Sequence, residues 1–197
     1  VSRDLISELE SKYLKIDSHR ACVLAVDIQE RLVPTVEKGD LVATKASLLV
    51  EWIAAQHTPI AITEHVSQKL GRTHFKLPPG CKRYEKCCFS ALGEHSAQVI
   101  APSEQVLVFG MEAHVCVLQT VLDLVASGKK VFVISDLTTS ACSLDRDVAL
   151  NRMKSIGAEV VTSEMVLFEW VGDSRAGSFN SMLELVKTLR KLGTTSC

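Results

Sequence analysis

Residues 105–120 read QVLVFGMEAHVCVLQT. The run 105–110 is short, apolar and continuous. Helical spacing resumes over 115–128, VCVLQTVLDLVASG, and Ser127-Gly128 is a common helix stop. A strand that is apolar along its whole length, rather than at alternate positions, is covered on both faces, which is the habit of a parallel sheet. Cys116 sits where the strand gives way to the helix. A buried thiol needs no such address. A reactive one benefits from it, because the amide dipoles of a helix N-terminus favour the thiolate, and the sequence predicts an acidity below the free value of about 8.5 for this thiol.

The same alternation extends in both directions. Apolar runs at 21–27 (ACVLAVD), 59–65 (PIAITEH), 129–135 (KKVFVIS) and 158–163 (AEVVTS) read as further buried strands, and 82–87 (KRYEKC) as a weaker one. Between them lie helical patterns at 41–57, 145–157 and 180–193. Segment 3–14, RDLISELESKYL, reads as a short N-terminal helix packing on the body. Right-handed crossovers then give a three-layer α/β/α, Rossmann-like domain occupying 1–197, with no internal repeat and no linker. The loop 66–80, VSQKLGRTHFKLPPG, follows a strand and is too polar for a core element. A lid and an ordinary surface loop are equally compatible with it.

The 197 residues, 47% hydrophobic and 23% charged, suffice for one sizeable core. The net charge of −1 supplies no field that would draw the chain to nucleic acid or a membrane. No apolar run approaches the ~18 residues of a membrane span. The first twenty residues mix Asp4, Glu8, Glu10 and Asp17 with Arg3, Lys12, Lys15 and Arg20, unlike a transit peptide or a secretory signal. The expected location is therefore intracellular, cytoplasmic or organellar. Seven cysteines, an odd count without C-x-x-C, argue against a disulfide framework and a zinc knuckle; most are expected to be small buried hydrophobes.

Three residues at strand ends could carry chemistry. Asp27 closes an apolar run, where partial desolvation makes a carboxylate a better base, although capping is the commoner use of such an Asp. Lys86 could be a salt-bridge partner or could steady developing negative charge. Cys116 could be a core thiol or a nucleophile whose turn supplies oxyanion donors. His114 lies two residues before it, so a Cys-His pair is an alternative, ranked below Asp-Lys-Cys because nothing nearby is poised to orient the ring.

AVDIQERLVP (25–34), EKCCFSA (85–91) and GMEAHVCVLQT (110–120), followed by 133–170 with its Glu164-x-x-x-Phe168, resemble the isochorismatase-like cysteine hydrolases, and within them the small isochorismatase domain-containing proteins. The resemblance runs from about residue 22 to the last helix. It implies a six-stranded parallel sheet and a catalytic triad carried over to Asp27, Lys86 and Cys116. It also implies a non-proline cis peptide at Met111–Glu112, with the N–H groups of Glu112 and Cys116 forming an oxyanion hole. The expected activity is metal-independent hydrolysis of a small amide or related acyl substrate without a cofactor, by a homo-oligomer of a dimer or larger. Phe89, His65, His114 and Phe168 are weaker pocket candidates. Metal-binding relatives carry Asp-x-His after the second strand. Here Glu64, His65 and His74 do not match that spacing, so no metal is expected. Cys87-Cys88 replaces the Thr-x usual beside the family lysine. The competing classes are a non-catalytic scaffold and a ribonuclease, the latter a label attached to some relatives. Against the ribonuclease stand the absence of a basic block and an aromatic content of only 5%.

Overall fold

The computed structural model describes residues 15–194; the N-terminal helix expected over 3–14 and Cys197 lie outside the described residues. Six strands form one parallel sheet: β1 (Ala21–Val26), β2 (Ile60–His65), β3 (Lys82–Lys86), β4 (Gln105–Met111), β5 (Lys130–Thr139) and β6 (Glu159–Val161), in the order β3-β2-β1-β4-β5-β6. All six expected strands are present. The helices are α1 (Gly39–Ala55), the single turn α2 (Ser67–Leu70), α3 (Glu94–Ile100), α4 (Leu118–Ala126), α5 (Ser143–Ser155), α6 (Ser163–Val171) and α7 (Phe179–Thr194). The sequence pattern did not mark α2, α3 or α6. The first two are too short to show a helical period. In α6, Ser163-Glu164 opens an apolar stretch that reads as a continuation of β6 until Thr162 is seen to cap the helix, its side chain accepting from the Met165 N–H.

The continuous apolar runs have the predicted cause. In β1, Ala21, Val23 and Ala25 face α1, α6 and α7, while Cys22, Leu24 and Val26 face α4 and α5. Because successive side chains point to opposite faces, every position of such a central strand is buried. β3 is an edge strand with a mixed exposure pattern, which explains its weak apolar signal.

Strand order places the ligand crevice. From β1 the chain builds outward to β2 and β3, then returns to lay β4 against the other side of β1. The crossovers on either side of that point run in opposite directions, the arrangement that in open α/β sheets puts the ligand beyond the C-terminal strand ends, here those of β1 and β4. Gly110 makes the β1–β4 approach sterically feasible at this edge. Its φ is +141°, and a Cβ there would stand 1.9 Å from the Val26 carbonyl oxygen.

Candidate active site

Asp27 is the first residue past β1. Its φ of +52° is left-handed, a conformation Asp tolerates better than most residues, and its N–H donates to the Thr63 carbonyl oxygen at 3.2 Å. The side chain is fully buried, and Thr63 Oγ1 donates to Oδ1 at 2.7 Å. Lys86, the last residue of β3, stands two strand spacings away, about 9.6 Å. Only a long side chain crosses that gap, and Nζ reaches Asp27 Oδ2 at 2.6 Å with 9% of the lysine side chain exposed. Two carbonyls hold the ammonium from the other side, those of Cys88 at 3.1 Å and Phe89 at 2.9 Å. Asp27 Oδ2 faces the ammonium, and a carboxylate oxygen engaged by one ammonium keeps a second lone pair for accepting.

Cys116 lies in a π-helical turn, Ala113–Val117, and the α-helix starts only at Leu118. The Cys116 carbonyl accepts from Thr120 Oγ1 at 2.6 Å, and that same oxygen accepts from the Ala91 N–H at 2.9 Å. Thr120 thus ties the cysteine turn to the segment after Lys86. The peptide bond Met111–Glu112 is cis. The expected acidity of the thiol is corrected. Burial, then the charge of Asp27, outweigh the lowering by Lys86, and the thiol is pushed up to about 12. The helix-terminus argument fails here because the thiol is enclosed and faces a carboxylate. The expectation for the remaining cysteines is corrected as well: Cys87, Cys88 and Cys142 are exposed, Cys81 is half-buried, and among the described residues only Cys22 joins Cys116 in the interior.

Asp27, Lys86 and Cys116 therefore come together at one edge of the sheet, where both charged groups act on the acidity of the thiol. His65 is the register partner of Lys86, and its ring lies against Phe89 at 5.5 Å between centroids, so these two candidates flank the lysine. His114 is turned to Ser140, with Nδ1 3.0 Å from Oγ. Phe168 is 44% exposed on α6, whose Val166 and Leu167 pack with the α1 and α7 side of the sheet. Thr63, Thr120 and the buried Gln29 were missed by sequence reasoning. Gln29 accepts from the His65 N–H and donates to the carbonyls of His65 and Gly71, pinning the ends of β1 and β2 together. A neutral polar residue in an apolar run was the only available signal for Thr63 and Thr120. Neither side chain carries reactivity of its own.

Glu64 and His74, two of the three residues weighed as metal ligands, are engaged with other partners. Burial pulls the Glu64 carboxyl upward, but bonds from Thr73 and Arg72 and the charge of Arg83 more than offset it and hold the group below its usual range. That carboxylate anchors the loop 66–80, while His74 Nε2 points to Asp40 at 3.5 Å. The loop itself packs on the body, with Phe75 and Leu77 against the core and Thr73 bridged to Gln29. Among the described residues no group of three or more His, Cys, Asp or Glu converges as a metal site.

Residues 21–165 match the isochorismatase domain. The chain belongs to the isochorismatase family. It is 35% identical over 164 residues to isochorismatase domain-containing protein 2 of Bos taurus, covering 82% of this chain and 80% of that one. Among solved structures, the MAR1 ribonuclease of Caenorhabditis elegans superposes with a TM-score of 0.84 at 27% identity, covering 87% of this chain and 92% of the other. The YcaC gene product of Escherichia coli, described as an octameric hydrolase of unknown specificity, shares the fold at 21% identity, with a TM-score of 0.75 and coverage of 93% and 97%. The protein is thus an isochorismatase-family hydrolase. No helix among the described residues is long and apolar enough to cross a membrane.

Proposed function

We propose that this isochorismatase-family chain is a metal-independent cysteine hydrolase of small amide or related acyl substrates. The observation that carries the reading is the buried Asp27–Lys86 pair at 2.6 Å with the Cys116 thiol against it. A thiol pushed up to about 12 keeps its proton at neutral pH, so attack must be coupled to proton removal. As Sγ bonds to the acyl carbon, its proton passes to the Asp27 carboxylate, the charged group that acts on the thiol. The carbonyl electron pair moves onto oxygen, which the N–H groups of Glu112 and Cys116 would receive. Collapse expels the amine, which takes the proton from Asp27 and leaves a thioester. A water then gives its proton to Asp27 as it attacks, releasing the acid, and the thiolate recovers the proton. Throughout, Lys86 balances the charge that moves between Asp27 and Cys116.

This chemistry requires neither cofactor nor metal. His65, Phe89 and His114 supply the pocket wall, and an assembly of like copies is part of the reading, supported by Leu144, Val148, Met165 and Phe168 exposed on α5 and α6. The test is turnover of an amide panel, and separately of RNA, by purified protein and by Cys116→Ala. Amide hydrolysis lost in the variant is the expected result. The MAR1 ribonuclease name of the C. elegans neighbour defines the competing outcome, RNA cleavage lost in Cys116→Ala, which would move the reaction to phosphodiesters.

A further inference from the structure

We propose that the Cys87–Cys88 pair is a site of reversible S-thiolation by small disulfides, and that an adduct there unseats Lys86. Both thiols are exposed, in contrast to buried Cys22 and Cys116, so a disulfide can reach them without opening the fold. They directly follow Lys86 in the chain, and the backbone of this segment holds the Lys86 ammonium: among the described residues the carbonyls of Cys88 and Phe89 are two of its three oxygen partners, and Asp27 is the third. Phe89 is also fixed by its ring contact with His65. The segment is thus a short, tightly bonded turn with its inner side on Lys86 and its two thiols outside. Each sulfur is carried by the same short stretch of backbone whose carbonyls hold Lys86, so an adduct whose own contacts with the surface pull on this turn draws those carbonyls off the ammonium.

In the exchange, a thiolate of the pair attacks one sulfur of a disulfide RSSR. The protein–SR bond forms as the RS–SR bond breaks, the other half leaves as RS⁻, and the thiol's proton goes to solvent. The small disulfide is the oxidant, and excess RSH reverses the step. Resolution to an internal disulfide is disfavoured, because adjacent Cα atoms stand about 3.8 Å apart, inside the roughly 4.4–6.8 Å that disulfide geometry prefers. The mixed disulfide is therefore the stable oxidised form. The consequence for catalysis rests on the hydrolase reading above; the chemistry at the pair and the release of Lys86 do not.

The experiment treats the full chain with oxidised glutathione, maps adducts by peptide mass, and then pulses with acetic anhydride to read the accessibility of Lys86. One glutathione on the Cys87–Cys88 peptide is expected. Lys86 acetylation should rise roughly tenfold as one carbonyl bond to the ammonium is lost, and should return to its starting rate with excess reduced glutathione. Cys87→Ser/Cys88→Ser should show no rise, although Cys142 can still take an adduct and serves as the internal control. The proposal is overturned by no adduct on the pair, by an internal disulfide in its place, by an adduct that leaves Lys86 acetylation unchanged, or by an equal rise in the double variant. Amide turnover, measured in parallel on the reduced protein, reports on the hydrolase reading separately.

Discussion

At the scale of single residues, Cys116 and its two charged neighbours behave as one unit. A thiol enclosed beside a carboxylate is a poor thiolate until something removes its proton. At neutral pH, iodoacetamide is therefore expected to label exposed Cys87, Cys88 and Cys142 before Cys116, as read by peptide mapping; Cys116 reacting first would contradict a thiol that holds its proton up to about 12. Asp27→Asn keeps the shape but removes the base, so amide turnover should fall at least about a hundredfold while the fold survives. Lys86→Ala differs. It leaves a fully buried carboxylate without its counter-ion, and urea unfolding should show a loss of roughly 3 kcal/mol or more in addition to lost activity.

At the scale of elements, the crevice depends on how closely β1 and β4 approach and on how the loop after β2 is anchored. Gly110→Ala would push a Cβ into the Val26 carbonyl at a φ that disfavours any side chain, and should cost about 3 kcal/mol or more in equilibrium unfolding. Glu64→Gln removes the charge that holds Thr73, Arg72 and Arg83 while keeping most of the shape. Limited proteolysis should then cut within 66–80 faster than in the parent chain. Because Glu64 is engaged in this way, prolonged chelation should leave amide turnover unchanged. Activity lost to chelation and restored by zinc would return Glu64 and His65 to the candidate ligands.

For the whole molecule, the buried thiol links stability to alkaline pH. The folded chain holds the Cys116 proton up to about 12, whereas an ordinary thiol releases it near 9.0. Between those values the unfolded chain binds fewer protons than the folded one, so unfolding becomes more favourable as pH rises. Cys22, also pushed up by burial, adds to the same slope. Urea midpoints measured from about pH 8 to 11 should fall for the parent protein, and Cys116→Ala should flatten the decline. Equal slopes in the two proteins would show that the thiol is not held protonated.

The layering of the molecule was legible in the chain. Central strands buried on both faces must be apolar at every position, so β1, β2, β4 and β5 announced themselves, and a polar edge strand such as β3 could only whisper. The reactive residue types, an acid closing β1 and a cysteine after β4, stood out because chemistry needs them at strand ends. How they meet is a property of the folded state. Lys86 reaches Asp27 across β2 only because strand order puts β3 two places from β1. The acidity of Cys116 came out opposite to the local expectation, because a helix start is visible in sequence whereas enclosure and a facing carboxylate belong to distant segments. Thr63, Thr120 and Gln29 stayed hidden for the same reason: a neutral polar side chain acquires a role only from the partner that folding places beside it.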